Sequence, residues 1–548
     1  MKNEPFNKVD YYRTFPQFID TVAVKYKDKP AVSYYTRKQQ EVMYTYGKFT
    51  SQIYDLREEL YKKGYVGKHI AIISENSYEW LVAYLAIVSC GAIAVCIDVE
   101  QSDDTIRQML LQADTDAAFL ADAFISLTKP VLSEDRMFAL GKKAEGEIRT
   151  LEEMCASGHE SRMNLKEPRE YHAEPDQVAA IVFTSGTSSI AKPVMLTHEN
   201  ILHNASDCIL YVWTYDRIFA HLPFYHTFGM TGGVLSTLVH GAHSIINGNM
   251  RTVMRDLQLS NADSIITVPL MLEAIRNQIW LTAEQTGKTA DLKKLFKLAT
   301  TLQKVGLAPK FKALDEIREK AFGSVRNIIC GGAALDSDIE QELALLGVNV
   351  FQGYGITECS PVVSVNRLQT RKLGSVGPVL PTLEVKTVEG EIYVKGITVM
   401  PGYYKSPELT AEVMEDGWFK TGDIGYIDNE GFLFITGRKK NLIVFKNGKK
   451  VSPEKMEELI GRIPLVKEVV VYGATSGSSA EDIKMAASIY PDPERSEGMS
   501  SYDILAKIQE EVDEINAKLP FYQQIQLINI RNQPFAKTAS KKIIRHLV

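Results

Sequence analysis

A large α/β body followed by a smaller α+β domain is the fold class this sequence predicts, and three observations predict it. Helix and strand signals alternate through the first 120 residues, the pattern of a sheet covered by helices. Short β-rich runs recur, "ADSIITV" (262–268), "RNIICGG" (326–332) and "VNVFQG" (348–353), the last two ending directly in glycine. Beyond about residue 385 the texture changes to short strands separated by Asn/Asp/Gly turns. At 548 residues the chain exceeds what one core usually serves, so two or more domains are expected.

The elements follow in order. "QIYDLREELYKKG" (52–64) has helical spacing and closes on Gly64, and "HIAIIS" (69–74) and "AAFLAD" (117–122) read as strands. "LVAYLAIVSCGAIAVCI" (81–97) is slightly short of the ~20 apolar residues of a membrane span. Gly91 divides it, which predicts a buried helix ending near Cys90, a glycine cap and a short buried strand. "VAAIVF" (178–183) is a strand running into a loop rich in Ser and Thr. "GEIYVKG", "WFKTGDIGYIDNEGFLFITG" and "NLIVFKNGKKV" predict hairpins. "SPEKMEELIGRI" (452–463) begins a helix with Ser452 as N-cap and Pro453 at the first helical position. "VKEVVVYG" (466–473) is a strand and "ILAKIQEEVDEINAKL" (504–519) an amphipathic helix. "TGRKKN" (436–441) is the expected junction, "DPERSEGMSS" (492–501) a polar surface loop, and no internal repeat is present.

Composition excludes several classes. Apolar residues make up 45% and charged residues 24%, ordinary for a soluble enzyme. The net charge of −6, without a long basic run, argues against a nucleic-acid binder. Six cysteines (Cys90, Cys96, Cys155, Cys208, Cys330, Cys359) are scattered without a CxxC pair, against a disulfide framework or zinc site and in keeping with a reducing cytosol. "MKNEPFNKVD" has no apolar signal core, so the expected location is cytoplasmic.

Four clusters carry chemistry. "FTSGTSSIAKPVM" (183–195) gathers the hydroxyls of Thr184, Ser185, Thr187, Ser188 and Ser189 around Gly186 and Lys192. It is not a P-loop, which needs Gly before its lysine and Ser/Thr after it; here the neighbours are Ala191 and Pro193. Hydroxyl donors, a glycine and a point charge still suit phosphate, although a surface Ser/Thr turn has the same composition. "FQGYGITECSP" (351–361) sets Gly353, Tyr354 and Gly355 beside Ile356, Thr357 and Glu358. A ring framed by glycines can stack on a base, and a carboxylate beside a hydroxyl can hold a hard cation. "WFKTGDIGY" (418–426) is read as placing Asp423 in a tight turn, open to a ribose, with Gly437-Arg438 following. "FAKTASKKIIR" (535–545) puts basic residues on a terminal segment. Each alone is weak; their order and spacing are the signal.

In that order the clusters resemble the motifs of the acyl-adenylate-forming enzymes: acyl-CoA synthetases, nonribosomal peptide adenylation domains and luciferases. The resemblance spans nearly the whole chain, and residues 390–457 look most like the long-chain fatty acyl-CoA synthetases. "LPFYHTFG" (222–229) also matches, with His226 at the position bordering the carboxylate pocket. The implied fold is a body with several sheets, residues 1–436, and a mobile C-terminal lid, residues 437–548. The implied reaction has two steps. A fatty carboxylate attacks the α-phosphate of magnesium-ATP to give acyl-adenylate and pyrophosphate, and the thiol of coenzyme A then takes the acyl group and releases AMP.

By resemblance, Lys542 bridges carboxylate and phosphate. Thr184 and Glu358 hold magnesium, and Ser185, Gly186, Thr187, Ser188 and Lys192 cradle phosphates. Tyr354 and the Gly332, Ala333 and Ala334 backbone enclose adenine, and Asp423 and Arg438 grip the ribose. Lys440 is the pivot and Gly448 lines the thiol channel. The departures are Ser189, Ala191 and Pro193 for Gly, Pro and Gly, and Lys541 for the glycine before Lys542. Lost glycines and a missing N–H donor predict a stiffer phosphate loop.

Alternatives stand beside this reading. An acyl carrier protein could replace coenzyme A as acceptor, with no carrier fused after Lys542. A nucleotide-binding homologue without full activity is the reading from another class. Lys446, Lys449 and Lys450 suit coenzyme A phosphates or an acidic carrier, and a solvated charged turn as well. Core packing is the preferred reading of Trp213 and Trp280, over an acyl tunnel. No nucleic-acid partner or transmembrane segment is expected, and peripheral membrane contact is left open.

Overall fold

The computed structural model describes residues 5, 7–141, 146, 148–184, 191–211, 216–305, 311–445, 449–475, 483–537 and 543–548. Two eight-stranded sheets build the body. One runs, in spatial order, Val362–Val365, Asn349–Gly355, Asn327–Cys330, Ser264–Thr267, Arg217–Ala220, His243–Ile246, Pro30–Tyr35, Glu41–Thr45. The other runs Gly402–Tyr403, Lys192–Thr197, Val178–Thr184, Ile93–Cys96, His69–Ile73, Ala117–Leu120, Met137–Ala139, Arg149–Thr150. Their inner strands are parallel, with antiparallel pairs at both ends of the first sheet and at the Gly402–Tyr403 end of the second. Parallel strands need crossover helices, which explains the helix–strand alternation of the sequence.

The helix Tyr78–Ser89 is buried all round apart from Glu79 and sits in the largest apolar cluster, with residues of both sheets. A helix without a polar face survives only inside a core, and here it lies between the two sheets. Gly91 (φ 85°) then turns the chain into the strand Ile93–Cys96, as expected. Among the described residues no helix is long and apolar enough to cross a membrane.

A five-stranded antiparallel sheet holds Leu383–Val388, Glu391–Gly396, Met414–Glu415, Trp418–Ile427 and Leu433–Arg438. Beyond it lies a small α+β domain. It has a three-stranded sheet (Val466–Thr475, Ile483–Pro491, Leu527–Ile530), the helices Pro453–Gly461 and Ser501–Asn516, and an apolar cluster of its own from Ile443 to Ile530. Ser452 precedes the first of these helices without capping it, because its hydroxyl turns to Glu454. Trp280 lies on the helix Pro269–Gln285, packed on Phe296 and donating to Glu342, in keeping with a packing role. Trp213 lies outside the described residues.

Candidate active site

Three of the sequence clusters come together, those of Lys192, of Tyr354 and Glu358, and of Asp423. Val178–Thr184 and Lys192–Thr197 pair antiparallel with Thr184 opposite Lys192, so the Ser/Thr segment connects two hairpin strands. Its residues Ser185, Gly186, Thr187, Ser188 and Ser189 lie outside the described residues, as do Lys446, Gly448, Lys541 and Lys542. Lys192 Nζ stands 5.0 Å from the centroid of the Tyr403 ring, and the Tyr403 hydroxyl donates to Glu358 Oε1 at 2.9 Å. Lys192 and Glu358, distant in sequence, therefore meet around one tyrosine, with Thr184 opposite Lys192 in the hairpin.

Glu358 is on a single turn, Thr357–Cys359, after the strand Asn349–Gly355. Burial pushes its carboxyl above the usual range, opposed by hydrogen bonds from the backbone and Tyr403 and by the charges of Lys192 and Arg438. Gly355 is required here: a Cβ would lie 2.3 Å from the Pro361 carbonyl oxygen. Ile356 N bonds that same carbonyl at 2.9 Å, which folds the Thr357–Glu358 turn back on the strand.

Tyr354, on that strand, donates to Asp423 Oδ2 at 2.7 Å, and Arg438 Nε lies 2.8 Å from Asp423 Oδ1. Asp423 is 2% exposed. It is not in a tight turn, as the sequence suggested, but inside the strand Trp418–Ile427, directly opposite Arg438 on Leu433–Arg438. The Gly-Asp pair misled because Gly422 (φ 70°) bends the strand without ending it.

Gly332, Ala333 and Ala334 form an exposed loop after the strand Asn327–Cys330, which pairs with the strand of Tyr354. Against this sheet lies an apolar cavity lined by Ile218, Phe228, Ile266, Ile329, Val362 and Val365, with Gly332, Gly353, Tyr354 and Gly355 also bordering it. His226 precedes Phe228 by two residues and meets Tyr225 edge-on, ring centroids 4.8 Å apart; Phe228, not His226, lines the cavity. Lys440 sits in the exposed turn Lys439–Asn441 after Arg438.

Three contributors have no counterpart among the sequence motifs. Tyr403 joins Lys192 to Glu358. Glu391 accepts from Gly422 N at 3.1 Å and from Lys439 at 2.6 Å, fixing the backbone ahead of Asp423. Asn204 donates to Val362 O at 2.8 Å and accepts from Val362 N at 3.1 Å, anchoring the segment after Glu358. None of the three has a local sequence signal, since the helix face of Asn204 also carries Asn200 and Asp207.

The donor set is hard oxygen, from Thr184 and Glu358, and no group of three or more His, Cys, Asp or Glu that could hold a metal occurs among the described residues. That fits magnesium, which commonly takes one or two protein oxygens and completes its shell with phosphates and water.

Comparison with known proteins adds the following. The family described as AMP-binding enzyme matches residues 19–404, and the AMP-binding enzyme C-terminal domain matches 440–548. The long-chain-fatty-acid–CoA ligase FadD15 of Mycobacterium bovis is 28% identical, over 79% of this chain and 74% of its own. The fold is similar to that of the anthranilate CoA ligase AuaEII in complex with anthranoyl-AMP: TM-score 0.77, 19% identity, 98% of this chain and 96% of that one. It is also similar to that of o-succinylbenzoate coenzyme A synthetase of Bacillus subtilis in complex with ATP and magnesium: TM-score 0.71, 21% identity, 96% and 98% covered.

Proposed function

The chain belongs to the AMP-binding enzyme family, and from that premise we propose that it is an AMP-forming acid–thiol ligase that activates a medium- or long-chain fatty carboxylate with ATP and transfers the acyl group to coenzyme A. The observation that carries the substrate class is the cavity. Its walls are mostly apolar, with aliphatic and aromatic side chains beside glycines, Cys208 and Ser236, and its glycine border lies beside Tyr354. An alkyl chain gains free energy there with each methylene buried, whereas a polar acid would leave its groups unpaired.

The residues take these roles. Lys192 and the hydroxyls of Thr184, Ser185, Thr187 and Ser188 offset the charge of the triphosphate, which otherwise repels the incoming carboxylate. Thr184 and Glu358 hold magnesium, whose charge further neutralises the phosphates. Tyr354 and the 332–334 backbone flank adenine. Asp423, oriented by Tyr354 and Arg438, accepts from the ribose hydroxyls. Lys542 stabilises the negative oxygens during adenylate formation. The body is residues 1–436 and the lid 437–548, turning about Lys440 so that the segment around Gly448 lines the thiol path in the second step. The cytosol is the proposed location.

A pyrophosphate-release screen across carboxylic acids of graded length, with and without coenzyme A, tests this. Release that rises with chain length, and thioester formed only with coenzyme A, is expected. Turnover of aromatic or short acids alone would overturn the substrate class. Thioester on an acyl carrier protein but not on coenzyme A would overturn the acceptor, and no release with any acid would leave a nucleotide binder.

A further inference from the structure

Resting on the assignment of Lys192 and Glu358 above, we propose that Tyr403 is a positioning residue that holds the phosphate-binding lysine and the magnesium-binding carboxylate at a fixed separation. Three features of Tyr403 act together. Its backbone pairs with Val194, and the neighbouring Tyr404 N bonds the Pro193 carbonyl at 2.8 Å, so the strand leaving the phosphate loop is clamped at its first residues. Its ring faces Lys192 Nζ at 5.0 Å. Its hydroxyl donates to Glu358 Oε1 at 2.9 Å, so it fixes one carboxylate oxygen.

The tyrosine is itself locked. It is 3% exposed, its N–H donates to Thr410 Oγ1 at 3.0 Å, and Met400 N bonds the Glu358 carbonyl at 2.8 Å from the same segment. Outside the site, Tyr404 donates to Asp114 Oδ2 at 2.7 Å, and Lys405 pairs with the same carboxylate. A pliable segment would not be anchored at both ends.

The physical need is clear from the charges. An ammonium and a carboxylate this near each other gain by pairing directly, and a direct pair would occupy both the phosphate donor and the metal ligand. The ring gives the ammonium a weaker partner in its quadrupole, and the hydroxyl gives the carboxylate a neutral one. Both charges stay available to magnesium-ATP.

Two variants separate ring from hydroxyl. Tyr403→Phe keeps the ring and should leave ATP binding in EDTA within twofold of wild type, while the gain in affinity on adding magnesium falls about tenfold. Tyr403→Leu removes both, and ATP binding should weaken about tenfold in EDTA as well. Calorimetric titration with ATP reads both, and melting curves report folding. Tyr403→Phe added to Glu358→Gln should lose nothing further, a readout that stands even if Tyr403→Leu fails to fold. Equal losses with and without magnesium in Tyr403→Phe, or an additive double variant, would overturn the proposal. Wild-type protein that binds no ATP would instead overturn the proposed function.

Discussion

Asp423 and Arg438 face each other across an antiparallel pair, with Arg438 Nε 2.8 Å from Asp423 Oδ1, and Tyr354 holds the other carboxylate oxygen. The carboxylate is buried while the guanidinium is about half exposed. The aspartate is therefore aimed by its partners, and the arginine remains able to follow a ligand. Asp423→Ala should weaken AMP binding at least tenfold by removing the ribose acceptor, whereas Tyr354→Phe removes only an orienting bond and should cost about 1 kcal/mol. Calorimetry with AMP distinguishes them; equal losses would mean that Asp423 does not touch the nucleotide.

The phosphate loop sets stiffness against stability. Pro193 pairs with Phe183 on one side, and its carbonyl serves Tyr404 on the other, so its fixed φ starts a strand that must stay in register. Ser189→Gly/Pro193→Gly should release pyrophosphate faster, because backbone freedom returns to the loop. It should also lower stability by roughly 0.5–1 kcal/mol per site, because glycine gives the unfolded chain more conformations to lose. Stopped-flow pyrophosphate release and urea melts check the two halves. A slower variant would make the substitutions adaptations of this enzyme.

Most of the fold is legible in the local pattern of the chain. The helix–glycine–strand unit at 78–96 can be read because Gly91 interrupts an apolar run, and a buried helix needs no polar face. The pairing of Thr184 with Lys192 and of Asp423 with Arg438 cannot, because register depends on partners and on bends such as that at Gly422. Tyr403 is hidden for another reason. A tyrosine between glycine and tyrosine has no local signature, and its role exists only because Val194, Lys192 and Glu358 converge on it.

The proposed pivot is tested at Lys440, in the exposed turn that follows Arg438. Nearby, Gly437 (φ 155°) packs closely on the Ser452 side chain, where a Cβ would lie 2.0 Å from Oγ, so the chain on the two sides of the turn is held together. Proline at 440 fixes φ and resists the dihedral change that a hinge must absorb. Lys440→Pro should leave adenylation near wild type and reduce thioester formation by tenfold or more. Single-turnover assays of each half-reaction read this. Equal loss in both, with the fold intact, would move the pivot elsewhere.

Acid should unfold this protein partly through its buried histidines. His198 begins the helix His198–Leu210, is fully buried, and accepts a hydrogen bond from Phe15 N through Nδ1 at 3.2 Å. Burial pushes its pKa from 6.5 down to about 4, and the same holds for His221 and His243. The unfolded chain takes up these protons near pH 6.5 and the folded chain only near pH 4. In that window the unfolded state binds more protons, so stability is full above pH 6.5 and falls as the pH drops toward 4. The loss is about 1.4 kcal/mol per pH unit for each histidine. Asp207 and Glu358, whose carboxyls burial raises, act in the opposite sense, so a difference between proteins is needed rather than one curve. In His198→Asn the amide oxygen can still accept from Phe15 N, but no proton is taken up. Urea midpoints at pH 7.5, 6 and 5 should fall less steeply in the variant than in wild type, by about one proton's slope. Parallel curves would mean that His198 is not held neutral, and that the contact between Phe15 and this helix adds nothing to acid sensitivity.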